Sequence, residues 1–168
     1  ADLFQKPSHI HLTLNVCKLL DDAERSQALE LLQGCSQFVK TLKTPFQLKV
    51  SGLEIMNDDP TAVRVLYARV EAPELQKMAN HLLNVYEEAG LGNEEKFSRE
   101  NNTVKLHMTI MNNKYRESQS KNFDASSILK RYGEFDFGYI ECNELHLCIL
   151  QSKDEKNEFY KTTGSLKF

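Results

Sequence analysis

The sequence predicts an α+β fold in which mainly antiparallel sheets carry outer helices. Three observations predict it. Apolar spacing switches along the chain between two residues and about 3.6 residues. Two extended segments meet at the turn "MNDDP", as an antiparallel hairpin requires. A short polar pattern on the first extended segment, at His11, returns on a later one, at His107.

Taken in order, "SHIHLTLNV" (Ser8–Val16) reads as a strand. Its period of two sends Ile10, Leu12, Leu14 and Val16 toward a core and His9, His11, Thr13 and Asn15 to the other face. "LLDDAERSQALELLQGCSQFVKTL" reads as a helix with Asp21 or Asp22 as N-cap and Ala28, Leu31, Leu32, Cys35, Phe38 and Leu42 on one stripe. "PFQLKVSGLEI" and "TAVRVLYARVEA" are the two hairpin strands. "APELQKMANHLLNVYEEAG" is a second helix, with Pro73 at its start, Gly90 past its end and Leu75, Met78, Ala79, Leu82 and Tyr86 as its buried stripe. "LGNEEKFSRENN" is a polar loop, "TVKLHMTIM" a strand and "NNKYRESQSKN" another polar loop. "FDASSILKRYG" is a short helix capped by Asp124 and Gly133, and "FDFGYIECNELHLCIL" and "EFYKTTGSLKF" close the chain as two or three strands. The expected order is β-α-β-β-α-β-α-β-β-β.

With 168 residues, 40% hydrophobic and 27% charged, the chain has the profile of one globular domain spanning residues 1–168. A chain of this size buries roughly 70% of its unfolded surface and needs no disulfide or metal staple. Net charge is −3 at pH 7, which argues against a basic coat over the whole surface and leaves room for a local basic cleft. Cys17, Cys35, Cys142 and Cys148 form no C-x-x-C pair and no zinc spacing, and are expected as free thiols of a reducing intracellular compartment. No apolar run approaches the roughly 18 residues that span a bilayer, so no membrane contact is expected. The chain starts at Ala1 with its core pattern beginning within ten residues, and reads as an excised domain.

The decisive feature is the second copy. Superposing His11 on His107 aligns His-Leu-Thr-Leu with His-Met-Thr-Ile, each preceded by an apolar residue, Ile10 or Leu106. The separation suits two lobes of one domain and is too long for a solenoid repeat. On a strand, His and Thr two apart point the same way. Two such strands brought together would set two imidazoles face to face, each beside a hydroxyl. Imidazoles titrate near pH 6.5, so one can be neutral while the other is protonated. The neutral ring takes a proton from an attacking hydroxyl or water, and the protonated ring gives one to the leaving oxygen. Thr13 and Thr109 would bond the non-bridging oxygens of a phosphate, where charge builds in the transition state. This is a scheme for in-line displacement at phosphorus with no metal and no cofactor.

The paired pattern resembles the signature of the two-histidine (2H) phosphoesterase superfamily, which includes RNA ligase-like cyclic phosphodiesterases and the central domain of an A-kinase anchoring protein. "FQKPSHIHLTL", "GLEIMNDDP", "VLYARV", "VKLHMTIMN" and "FDASSILK" carry the likeness from residue 4 to about 130, and the last strands fit it more loosely. Within the superfamily it is most similar to a domain of nuclear coactivator subunits. The resemblance implies a bilobal LigT-like fold with pseudo-twofold symmetry, a central cleft, and RNA ends or 2′,3′-cyclic phosphates as substrate. It implies His11 and His107 as the catalytic pair and Thr13 and Thr109 as phosphate-binding hydroxyls. It also implies an RNA-binding KH domain upstream, other subunits of a coactivator complex as partners, and a nuclear place in transcription coactivation and alkylation-damage repair. The domain itself is expected as a monomer.

Weaker signals surround the motifs. His9 and Lys105 stand two residues before each motif histidine and are expected on the same strand face, edging the cleft. His9-Ile10-His11 could instead be half of a binuclear metal site, but no carboxylate-histidine cluster accompanies it. In "NNKYRESQSKN", Lys114, Arg116 and Lys121 could grip a nucleic-acid backbone while Tyr115 stacks on a base; the bland reading is a solvated loop. His81 and His146 read as structural. Which motif histidine is base and which acid stays open, as does the alternative of a nucleotide- or RNA-binding module with little turnover. A pure protein-interaction domain is the third reading.

Overall fold

The computed structural model describes residues 3–92, 99–100, 103–115, 121–150, 152 and 159–168. Among them the helices are α1 (Asp22–Gly34), α2 (Ser36–Val39), α3 (Pro73–Glu88) and α4 (Ser126–Tyr132). The strands are β1 (Phe46–Ile55), β2 (Val65–Glu71), β3 (Arg99–Glu100), β4 (Thr103–Val104), β5 (His107–Asn112), β6 (Asp136–Cys142), β7 (Glu144–Cys148) and β8 (Thr162–Lys167). The chain divides into two units. One takes Ala1–Leu12, Lys49–Glu71 and His107–Tyr139; the other takes Thr13–Leu48, Ala72–Leu106 and Ile140–Phe168.

The first unit is organised by the sheet β5-β2-β1-β6. β1 and β2 form the expected antiparallel hairpin, with Leu53 opposite Ala68 and Glu54 opposite Tyr67. β2 then pairs antiparallel with β5, setting Arg69 opposite His107, Ala68 opposite Met108 and Tyr67 opposite Thr109. Val50, Leu53, Leu66, Ala68 and Met111 enter one apolar cluster with Leu3, Val63, Phe123 and Ala125, and Met108 and Ile110 pack against it. Burying each large side chain contributes roughly 1.5–3 kcal/mol. The register of β2 on β5 slips between Leu66 and Tyr67, leaving Ile110 as the extra residue of a bulge.

β1 carries a second irregularity, between Val50 and Leu53. Gly52 sits there at φ +71°, a conformation few L side chains adopt. Its amide donates to Phe135 O at 2.7 Å, and a Cβ at this position would overlap the Arg69 guanidinium and the Gly133 carbonyl. Glycine is required on both counts.

In the second unit, α3 buries the whole expected stripe of Leu75, Met78, Ala79, Leu82 and Tyr86. Asp21 caps α1 by accepting from Glu24 N at 2.8 Å. The Tyr86 hydroxyl donates to Ala28 O, tying α3 to α1. Gly164 on β8 gives Leu29 of α1 the space a Cβ would fill. β7 pairs antiparallel with β8, and β3 with β4. All four cysteines are free, as expected, but free thiols do not support the expected reducing compartment.

Five expected elements come out differently. Arg99 and Glu100 of the expected loop "LGNEEKFSRENN" pair as β3 with β4, and Ala125 rather than Asp124 is the N-cap of α4. The opening strand is not a ladder: Pro7–His9 forms a 3-10 turn, with His9 N donating to Lys6 O, and Ile10 is exposed rather than core-facing. Only single bridges remain, Phe4 to Met111 and Leu12 to Met108. "TVKLHMTIM" splits into β4 and β5, because side chains of α3 occupy Val104: Asn80 Oδ1 accepts from its amide at 3.0 Å and Gln76 Nε2 donates to its carbonyl at 2.8 Å. The long first helix is interrupted at Cys35, the junction of α1 and α2.

Two substitutions test this account by chemical denaturation. Gly52→Ala loses roughly 2 kcal/mol or more of stability, combining a left-handed backbone penalty of about 1–3 kcal/mol with steric overlap. Asp21→Ala loses about 1 kcal/mol, the usual cost of an N-cap.

Candidate active site

β5 presents the second motif. Because Met108 packs against the core cluster, strand alternation turns His107 and Thr109 to the opposite face. Residues directly opposite in an antiparallel pair share a face, so Arg69 joins His107 there and Tyr67 joins Thr109. Glu54, opposite Tyr67 across β1, completes a polar row on that side of the sheet.

The first motif reaches β5 through one bridge. Leu12 pairs antiparallel with Met108, and the two flanking residues of each motif are His and Thr. In antiparallel register, the neighbour of Leu12 toward the N-terminus lies opposite the neighbour of Met108 toward the C-terminus. That sets His11 opposite Thr109. Thr13 follows Leu12 and is the first residue of the second unit, half-buried.

Both imidazoles have a defined neighbour. His11 Nδ1 lies 2.7 Å from the His9 carbonyl. A carbonyl only accepts, so Nδ1 carries the hydrogen and proton exchange falls to Nε2. The His107 ring meets Tyr67 edge to face, with centroids 5.6 Å apart and planes at 73°. Tyr67 is only 2% exposed, and its hydroxyl donates to Glu54 Oε2 at 2.7 Å. Arg69 Nη1 lies 3.4 Å from Glu54 Oε1, Nη2 donates to Glu134 Oε2 at 2.9 Å, and Nε donates to Ser51 O at 3.1 Å. The bond to Glu134 above all, with Glu54 adding, pushes the guanidinium's pKa up, so Arg69 is a fixed cation.

The secondary residues are placed less as expected. His9 ends the 3-10 turn, and its contribution to His11 comes from its backbone carbonyl. Lys105 falls in the break between β4 and β5, so it does not share a strand with His107. Tyr115 closes the short 3-10 turn Asn113–Tyr115, with Lys114 exposed beside it. Arg116 lies outside the described residues, and Lys121 is exposed. His81 stacks on Phe38 with centroids 3.9 Å apart, and His146 lies 3.3 Å from Glu144. Among the described residues, no group of three or more His, Cys, Asp or Glu is placed to hold a metal ion.

Sequence reasoning passed over Glu54, Tyr67 and Arg69. The alternation of "VLYARV" already separates Tyr67 and Arg69 from Leu66, Ala68 and Val70. Connecting them to His107 needs the register between β2 and β5, which no local pattern encodes.

Known proteins share this plan. The crystal structure of TT0787 of Thermus thermophilus superposes with a TM-score of 0.67 at 20% identity, covering 98% of this chain and 81% of that one. This is a likeness of fold. Activating signal cointegrator 1 complex subunit 1 of Mus musculus is 32% identical over 173 residues, covering 88% of this chain. The chain spans about half the length of that relative, 47% of it. A family model described as the AKAP7 2'5' RNA ligase-like domain matches residues 1–168. The chain therefore belongs to the AKAP7 2'5' RNA ligase-like domain family, within the two-histidine phosphoesterases.

Proposed function

We propose that the chain is a metal-independent phosphodiesterase acting on RNA ends or 2′,3′-cyclic phosphates, with His11 and His107 as its proton-transfer pair. The observation that carries the reading is the Leu12–Met108 bridge, since it sets His11 of the first motif beside Thr109 of the second. For a cyclic phosphate, water attacks phosphorus. A new P–O bond forms and one ring P–O bond breaks. One imidazole takes the proton of the attacking water, and the other, already protonated, gives its proton to the departing ribose oxygen. The rings end with their protonation exchanged and return to the starting state through solvent. Thr109, and Thr13 by the spacing of its motif, donate to the non-bridging oxygens. We infer that Tyr115 and the loop lysines Lys114 and Lys121 border the bound nucleotide.

The likeness to a subunit of an activating signal cointegrator complex, together with membership of an RNA ligase-like family, supports a second reading: the domain binds RNA or a nucleotide within a multi-subunit complex and turns over little. No described helix is long and apolar enough to cross a membrane.

Incubating the domain with a panel of 2′,3′-cyclic nucleotides and 3′-end-labelled oligoribonucleotides, with binding measured in parallel, separates the two. Turnover is expected to persist in EDTA, to follow a bell-shaped pH profile, and to fall by about 10²–10⁴-fold in His11→Ala and in His107→Ala. Retained turnover in either variant would sink the paired assignment, and saturable binding without product would favour the binding module. Thr13→Ala and Thr109→Ala are each expected to lower kcat by about 10²-fold, as loss of a transition-state donor does. Substrate saturation curves for the two variants check it.

A further inference from the structure

We propose that Tyr67 is a positioning residue for the His107 imidazole, held in place by Glu54 and Arg69; this rests on the reading of His107 as one of the proton-transfer pair. Tyr67 is a large aromatic side chain, almost fully buried, on the site face of the sheet rather than in the apolar cluster. Its ring and the His107 imidazole meet edge to face. A T-shaped contact of this kind has a preferred geometry, so the angle of one ring constrains the other.

The tyrosine ring is itself fixed at its far end. Its hydroxyl donates to Glu54, whose other carboxylate oxygen faces Arg69. Arg69 is pinned in turn by Ser51 O and Glu134, over the surface that Gly52 leaves open. The chain of contacts therefore runs from the Gly52 bulge through Arg69, Glu54 and Tyr67 to His107. Arg69 is also the strand partner of His107, so both ends of the chain are anchored on neighbouring backbone. Proton transfer to or from a reacting oxygen is sensitive to placement: an error near 1 Å costs about 10²-fold in rate. A buried, hydrogen-bonded tyrosine behind the ring supplies the stiffness that an edge-of-sheet imidazole needs.

The test uses the 168-residue chain with Tyr67→Leu, Tyr67→Phe and Glu54→Gln, each first compared with wild type by circular dichroism and thermal unfolding. Histidine ring ¹H–¹³C spectra are recorded for all, and kcat and KM are measured on a 2′,3′-cyclic nucleotide. The expectation is that Tyr67→Leu abolishes the ring-current shift on the His107 signals and lowers kcat by about 10–10²-fold with KM within about twofold. Tyr67→Phe keeps the ring and releases its anchor, so the His107 signals broaden or move and kcat falls by a few-fold. Glu54→Gln behaves like Tyr67→Phe. A folded Tyr67→Leu with wild-type His107 signals and kcat overturns the proposal. If Tyr67→Leu fails to fold, the two milder variants decide it, and unchanged His107 signals in both overturn it equally. Absence of turnover in the wild type defeats the phosphodiesterase reading instead, while the imidazole signals of the same samples still decide the role of Tyr67.

Discussion

The site depends on one constraint: strand alternation on β5, locked by the packing of Met108 against the apolar cluster. An antiparallel strand sends neighbours to opposite faces, and a slip of one residue would send His107 into the apolar cluster. Pairing Ala68 with Met108 puts a small buried residue opposite a large one and holds the register against that slip. The same choice orients Tyr67 and Arg69, because they alternate with Leu66, Ala68 and Val70 on β2. Core packing on one face thus assigns every polar side chain on the other.

Bulges then adjust what alternation alone would give. At the β2–β5 slip, Ile110 is absorbed as an extra residue, which lets both Ile110 and Met111 turn toward the core while Thr109 keeps the site face. At Gly52 the missing side chain makes space for a guanidinium that would otherwise have no room across β1. Arg69 and Glu54 are partly exposed and Glu134 almost fully so, and their attraction adds little to stability. What it adds is direction: a planar, permanently charged fork fixes Glu54 relative to the backbone at Ser51 and Gly133.

Much of this was legible in the sequence, and the limits have physical causes. Periodicity located α3 and its buried stripe, the β1–β2 hairpin, and the cap at Asp21, all of which rest on local spacing and local hydrogen bonds. It placed His107 and Thr109 on one face for the same reason. It failed where a competing partner intervenes. Proline at position 7 starts a turn and leaves "SHIHLTLNV" with one bridge, although its alternation is as regular as that of any strand. Asn80 and Gln76, a helix away, capture Val104 and end the strand before Lys105. Glu54, Tyr67 and Arg69 are individually ordinary strand residues, and only long-range register makes them a row.

The duplication therefore hides an asymmetry. By sequence the motif copies are equivalent, each a His and a Thr around an apolar residue. In the fold, the His107 copy sits in a paired strand against a buried aromatic ring, while the His11 copy follows a 3-10 turn and meets β5 at one residue. The stretch from Phe4 to Leu12 runs opposite the much shorter one from Met108 to Met111, so the turn takes up the excess and brings the His9 carbonyl to His11 Nδ1. A backbone carbonyl from the neighbouring turn holds one imidazole, and a tyrosine reached through two other strands helps hold the other. Turn chemistry is local and tolerates change in the rest of the sheet; the Tyr67 support does not, since it needs the register of three strands at once. Substitutions on β1 and β2 must then act unequally on the two histidines, reaching His107 through Tyr67 and leaving the Nδ1 anchor of His11 intact.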